Sequence, residues 1–152
     1  MCKKILSVLL IFMFVFCIPI KGNAASPEIE YLPNGNYIIT IIEDQPASDS
    51  SFISSTVTKT KTSYCYSADN LKLWSVSVTG TFTYGNGSAT CISASCKTAT
   101  YDSSWSVGNK KASKSGNKAI AKATGELYSG GHIIQTITRT VTLTCSPTGQ
   151  FS

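Results

Sequence analysis

Hydrophobic and polar residues alternate along most of the chain beyond residue 55. From Trp74 to Tyr84 the even-numbered residues are apolar or glycine, whereas the odd-numbered ones are serine or threonine. From Ile133 to Cys145 most odd positions are apolar and most even positions are threonine. A period of two is typical of a strand that buries one face and exposes the other. The pattern therefore predicts an all-β domain.

Segments rich in glycine and asparagine divide this pattern into strands. Tyr84–Ser88, Ser115–Asn117 and Ser129–Gly131 supply residues that tolerate the positive φ of tight turns. The predicted strands are 37–43, 56–66, 74–84, 89–94, 97–107, 118–128 and 133–145. Short connections favour antiparallel pairing, so we expect an antiparallel, immunoglobulin-like β-sandwich of about seven or eight strands.

The predicted strand 118–128 has an inward face of small residues. Alanine and glycine occupy most of its odd positions. Because protein interiors are close-packed, we expect Trp74, Trp105 or Phe82 of the opposite sheet to fill this space.

The first 24 residues have the organisation of a secretory signal peptide. Two lysines precede an apolar run from Ile5 to Ile18, and small residues follow, which places cleavage after Ala24. The apolar run is short for a membrane-spanning helix and Pro19 interrupts its end, which disfavours an uncleaved anchor. We therefore expect a secreted protein that touches the membrane only through residues 1–24. The rest divides into an N-terminal strand segment and linker (25–55) and a disulfide-bonded domain (56–152).

Removal of the signal peptide changes the charge of the chain. The net charge of +5 includes three lysines of this segment, and the remainder carries 10 basic and 8 acidic residues. The acids concentrate before residue 70, whereas five lysines cluster later, at Lys110, Lys111, Lys114, Lys118 and Lys122. This cluster predicts contact with an anionic envelope polymer, and the alternative is a solvated edge that prevents strand aggregation. Nucleic acid is not expected, because no aromatic residue interrupts the cluster.

Four cysteines remain after cleavage: Cys65, Cys91, Cys96 and Cys145. In an exported chain they predict two disulfides. Inward parity favours Cys91–Cys145 with Cys65–Cys96, and the rival arrangement is Cys91–Cys96 with Cys65–Cys145. Their spacing does not match that of a zinc site, so no metal is expected.

No constellation of catalytic residues is legible, and we expect neither an enzyme nor a cofactor. The only histidine, His132, follows a glycine turn, and Asp102 has the context of a cap for a bend. Arg139 falls on an inward position, where it needs a partner, and we expect an ion pair with Glu126 or Asp102. Tyr128 and the tyrosines near Cys65 are the best candidates for an exposed sugar-stacking surface.

Several segments resemble a family of small exported proteins of unknown function from Gram-positive, clostridial-type bacteria. They are Gly80–Gly87 (GTFTYGNG), Ala89–Ser95 (ATCISAS), Tyr101–Trp105 (YDSSW), Ala112–Asn117 (ASKSGN) and Thr142–Ser146 (TLTCS). Leu32–Tyr37 (LPNGNY) is similar to the short strand segment that such proteins carry after the signal. The resemblance implies export and an all-β domain, and it carries no activity.

These observations favour a secreted, non-enzymatic protein that binds at the cell envelope, with an anionic polymer or a carbohydrate as partner. The alternatives are a small bacteriocin-like toxin and a carbohydrate-binding module.

Overall fold

The structure is a computed structural model that describes residues 26–43 and 55–152. These residues form eight strands: β1 (Glu28–Tyr31), β2 (Tyr37–Glu43), β3 (Ser55–Tyr66), β4 (Lys72–Gly85), β5 (Ser88–Thr100), β6 (Trp105–Ser115), β7 (Lys118–Ser129) and β8 (His132–Thr144). They include no helix that could cross a membrane. The all-β prediction is confirmed. The predicted signal peptide and residues 44–54 of the predicted linker lie outside the described residues.

The strands form two antiparallel sheets in which neighbours follow the order of the chain. One sheet has the order β1-β2-β3-β4-β5, and the other has the order β6-β7-β8. Both are meanders, joined by the segment 101–104 between β5 and β6. An immunoglobulin domain interleaves its strands between the two sheets. That predicted order is not found among the described residues, although the two packed layers are.

The layers pack through large aromatic residues of one sheet and small residues of the other. A Cβ added at Gly125 of β7 would lie 2.4 Å from Cε2 of Trp74. One added at Gly80 of β4 would lie 2.7 Å from the Cβ of Ala119. Trp74 also packs against Trp105, with ring centroids 6.3 Å apart. The predicted filling of the alanine and glycine face is thus confirmed for Trp74, whereas Trp105 lies on β6, in the same sheet as this face and not in the opposite one.

The bend around Asp102 corrects one predicted strand. The segment 97–107 is two strands, because β5 ends at Thr100 and β6 begins at Trp105. The Asp102 carboxylate accepts the N–H of Ser104 at 2.8 Å, which confirms its role as a cap. The bend reverses the side that faces the core, so Tyr101 is half exposed while Trp105 is buried. β6 then includes most of the lysine cluster.

Arg139 lies between the sheets, as its parity predicts, but its partner is not a predicted one. Its guanidinium forms an ion pair with Glu30 of β1 and donates a hydrogen bond to Thr40 at 3.3 Å. The expected pairing with Glu126 or Asp102 is wrong, because the sequence prediction did not include β1. The interlayer space is therefore apolar around Trp74 and polar around Arg139.

Candidate ligand-binding surfaces

Five tyrosines form a continuous surface on the outer side of the five-stranded sheet, and we call it the tyrosine face. Its members are Tyr31, Tyr37, Tyr64, Tyr66 and Tyr101. Strand register explains the grouping, because Tyr31 pairs with Tyr37, Tyr37 with Tyr66, and Tyr66 with Lys72. Side chains paired in this way point to the same side of a sheet. One row of aromatic rings thus crosses three strands.

The rings of the tyrosine face touch one another. Tyr37 and Tyr66 stack with centroids 5.2 Å apart and planes inclined by 6°. Tyr64 lies 6.5 Å from Tyr66 and 6.5 Å from Tyr101. These are the separations at which aromatic rings attract one another beyond simple burial. Mutual packing therefore fixes the rings in position.

Lys72 places its ammonium among three of these rings. Its Nζ lies 4.3 Å from the centroid of Tyr64, 5.1 Å from that of Tyr101 and 5.9 Å from that of Tyr66. All three distances are within the range of cation–π attraction. No carboxylate of the described residues forms an ion pair with Lys72. The aromatic surface thus carries a positive charge.

A shallow depression of about 330 Å³ adjoins these rings. Its lining includes Glu43, Thr60, Tyr64, Ser75, Ser77, Thr79, Lys97 and Tyr101. The hydroxyls pair across the strands, with Thr60 2.8 Å from Thr79 and Ser75 3.3 Å from the Tyr101 hydroxyl. Each hydroxyl has both donor and acceptor capacity, and one cross-strand bond does not exhaust it. The depression combines aromatic walls with a hydroxyl-rich floor.

Charged groups border the depression on opposite sides. Glu43 lies on the β2 side, where its carboxylate accepts a hydrogen bond from Thr62 at 2.8 Å. Lys97 lies on the β5 side and has no ion-pair partner in the described part of the chain. The pKa of Tyr64 is raised, by burial first and then by the charge of Glu43. Tyr64 therefore remains a neutral phenol in physiological solution.

Three of the five candidate lysines meet on the outer side of the other sheet, and we call this surface the lysine face. Lys110, Lys111 and Lys122 line a depression of about 350 Å³ with Thr124 and Thr138. Lys111 and Lys122 are direct cross-strand partners. Like charges in this position repel and destabilise a sheet, so the pair offers a site for an anion.

The other two candidate lysines lie apart from this depression. Lys114 donates to the carbonyl oxygen of Ile92 on β5. Lys118 is exposed at the start of β7, where it pairs with Thr144. The predicted cluster thus occupies two sides of its sheet.

The four cysteines of the described residues are free thiols, and strand register excludes most of the predicted disulfides. Cys65 pairs with Trp74, whereas Cys96 pairs with Val78, two strands and four residues away. That offset is about 16 Å, well beyond the ~7 Å that a disulfide permits. The preferred Cys65–Cys96 bond is therefore wrong.

The rival arrangement is excluded by the same register. Cys91 and Cys96 lie five residues apart on the continuous strand β5, again about 16 Å. Cys65 and Cys145 lie toward opposite ends of the interlayer space, since Cys145 follows β8 and bridges to Phe151, which packs on Phe82.

Only Cys91 and Cys145 are neighbours. Cys91 donates its N–H to Gly116 at 2.8 Å, and Cys145 donates its own to the adjacent Asn117 at 3.0 Å. The pKa of the Cys145 thiol is raised by burial and by the proximity of Cys91. The two thiols lie between the layers, where β5 meets the β6–β7 turn.

The remaining candidate residues do not converge on a reaction centre. Glu126 accepts a hydrogen bond from Tyr128 at 2.9 Å, and Asp102 caps its bend. His132 is exposed at the start of β8. Within residues 26–43 and 55–152, no group of three or more His, Cys, Asp or Glu residues could hold a metal ion.

The sequence analysis missed the tyrosine face as a unit. The tyrosines near Cys65, which are Tyr64 and Tyr66, were candidates for an exposed stacking surface, but no strand was predicted at 28–31, so Tyr31 was not placed beside them. The turn Leu32–Asn36 is the sequence feature from which part of the tyrosine face could have been predicted. A hairpin closed by this turn sets Tyr31 opposite Tyr37.

Comparisons with known proteins identify no relative of this chain. A scan against protein-family models, a search of curated proteins and a search of solved structures each found no match for this chain. The surfaces described above therefore provide the functional evidence.

Proposed function

We propose that this is a secreted, non-enzymatic protein that binds polysaccharide at the cell envelope through the tyrosine face. The observation that carries the proposal is the depression bordered by Tyr64 and Tyr101, with its floor of hydroxyls and its charged rim. Aromatic rings offer a flat apolar surface to the C–H face of a sugar, while hydroxyl and charged groups bond its polar edge.

The shape of the site fits a polymer better than a small metabolite. Ser75, Ser77 and Thr79 line the depression along β4 on the outer side of a sheet, so a chain could pass across it. The rings are already packed against one another, and a preformed surface loses little conformational freedom when it binds. Retention of the protein at a wall polysaccharide follows from these properties.

Secretion is part of the same proposal. It accounts for the predicted signal peptide, for the serine- and threonine-rich outer faces, and for the pair Cys91 and Cys145, which oxidation outside the cell would join. The two thiols would lose two protons and two electrons to a disulfide-exchange partner. No such bond is proposed for Cys65 or Cys96.

Cosedimentation with purified Gram-positive cell walls tests the proposal. Wild-type protein should sediment with the walls, and the double variant Tyr64→Ala, Tyr101→Ala should lose roughly ten-fold in affinity or more, since two stacking rings are removed. Tyr128→Ala is the matched control, because Tyr128 is an exposed tyrosine of the other sheet. Equal retention of all three proteins would overturn the assignment to the tyrosine face.

The lysine face supports a second candidate function, which is adsorption to an anionic polymer. The direct opposition of Lys111 and Lys122 favours it, because a bound phosphate or carboxylate would relieve their repulsion. Binding of this kind weakens steeply as salt rises, whereas stacking on tyrosine does not. Retention of a Lys111→Ser, Lys122→Ser variant at low salt, compared with that of the Tyr64→Ala, Tyr101→Ala variant, separates the two candidates.

A further inference from the structure

We infer that the polysaccharide bound by the tyrosine face is an acidic one, built from sugars that carry a carboxylate, and that Lys72 recognises the carboxylate. This inference rests on the proposed function and specifies its ligand class. It comes from the charges around the depression rather than from the rings themselves.

The ammonium of Lys72 is the first observation. It lies above Tyr64 and near Tyr101, the two rings that border the depression. No carboxylate of the described residues pairs with it. The rings hold the flexible side chain in place, and this reduces the entropy lost when the ammonium binds an anion. A sugar stacked on Tyr64 or Tyr101 would therefore present its substituents to a positioned positive charge.

The distribution of charge around the rim is the second observation. Lys97 on β5 borders one side and Glu43 on β2 borders the other, while Lys72 on β4 lies outside the lining, over Tyr64 and near Tyr101. A carboxylate on the ligand is attracted to the lysine side and repelled from the Glu43 side. Its orientation is thus fixed, and an uncharged hexose forms hydrogen bonds to these groups but lacks this charge–charge attraction.

A hydrogen bond to one Glu43 oxygen strengthens the asymmetry. Thr62 donates to the Glu43 carboxylate at 2.8 Å, and Thr62 is itself buried. Glu43 is therefore held on its own side of the depression rather than drawn across it to neutralise Lys97. The site keeps its lysines available for a ligand.

Two forms of one polymer test the inference. Polygalacturonate and its fully methyl-esterified form share a backbone, but only the first carries free carboxylates. Affinity electrophoresis of the purified protein at 0.15 M ionic strength, about the physiological value, should show retardation by the free acid at least roughly ten-fold stronger than by the ester. Equal retardation by both forms would overturn the inference while leaving polysaccharide binding intact.

Variants then assign the preference to its residue. Lys72→Met keeps the unbranched side chain over the rings but removes the charge, and it should reduce affinity for the free acid roughly ten-fold without changing affinity for the ester. Lys118→Met, an exposed lysine of the other sheet, is the matched control and should change neither. A preference that survives Lys72→Met, or that disappears with Lys118→Met, would contradict the role of Lys72.

The same experiment distinguishes failure of the inference from failure of the proposed function. If Tyr64→Ala with Tyr101→Ala leaves binding of both polymers unchanged, the tyrosine face is not the site, and the proposed function falls with the inference. If that variant loses both polymers while Lys72→Met behaves as wild type, the face binds sugar but does not select acids. Circular dichroism of each variant excludes unfolding as the cause.

Discussion

The two outer faces of this protein arise from the same sequence pattern and yet differ in chemistry. Both sheets expose serine and threonine at alternate positions, and both pair these hydroxyls across strands, as Thr60 with Thr79 and Thr124 with Thr138. The five-stranded sheet adds a row of aromatic rings at one end, whereas the three-stranded sheet adds opposed lysines. The alternation thus determines which side chains reach solvent, and the few residues that break it determine what each face can bind.

A disulfide between Cys91 and Cys145 should have the largest effect on this arrangement, because it would tie the two layers together. Closing a loop of about fifty residues stabilises a fold by about 4 kcal/mol in the chain-entropy model. Protein oxidised with glutathione disulfide should unfold at higher urea concentration than reduced protein and yield a Cys91–Cys145 peptide on non-reducing mapping. Replacement of Cys96 with Ser should leave this difference in place. A peptide that joins Cys65 to Cys96 would contradict the strand register.

The contact between Trp74 and Gly125 should have the next largest effect. Gly125→Ala would place a methyl group inside the indole ring's own space, and overpacking of this kind costs about 2–3 kcal/mol. Gly108→Ala is the matched control, since nothing lies within 4 Å of the added Cβ. Urea unfolding should show a large loss for the first variant and a change of at most ~0.5 kcal/mol for the second. Similar values for both would mean that the layers pack differently.

Alkaline pH should lower the stability of the protein through Cys65, which is buried on the inner side of the five-stranded sheet, behind the tyrosine face. Burial raises the pKa of the Cys65 thiol to about 11. A group whose pKa is raised by folding stabilises the protein below its unfolded pKa, and this contribution disappears as pH rises toward the folded value. The free energy of unfolding should thus fall by on the order of 2 kcal/mol between pH 9 and 11. Cys65→Ala should reduce this slope, and an unchanged slope would show that another group causes it.

Removal of the lysine face should have the smallest effect under physiological conditions. The triple variant Lys110→Ser, Lys111→Ser, Lys122→Ser should retain wall binding within about two-fold at 0.15 M salt, because the tyrosine face carries that binding and long-range attraction to these lysines is screened. At low salt it should lose adsorption to polyglycerol phosphate, a polyanion without aromatic-stacking sugars along its backbone. A large loss of wall binding at 0.15 M salt would show that the lysine face, and not the tyrosine face, is the main binding site.

The sequence was sufficient for the strands of the core but not for the candidate site. Alternation between Trp74 and Tyr84 predicted β4 to within two residues at its start, because burial of one face imposes that period. The small residues of β7 predicted the aromatic packing above them. Both properties are local, and a single strand is enough to reveal them.

The tyrosine face and the cysteine distances depend on register between strands, which no single segment specifies. Tyr31 and Tyr66 are 35 positions apart and meet the same row only because β2 pairs with both neighbours. Cys65 and Cys96 share inward parity, but parity does not reveal their offset along the sheet. Arg139 forms its ion pair with Glu30 because the short strand β1 pairs with β2. Alternation along the sequence did not predict β1.

Chemical-shift mapping by NMR would locate glycan binding on the tyrosine face or on the lysine face. Soluble glycan fragments released from purified cell walls would be titrated into isotope-labelled protein. Shift changes should concentrate at Tyr64, Ser75, Ser77, Lys97 and Tyr101 on the five-stranded sheet. Changes confined to Lys111, Lys122 and Thr138, or no changes at all, would contradict binding by the tyrosine face.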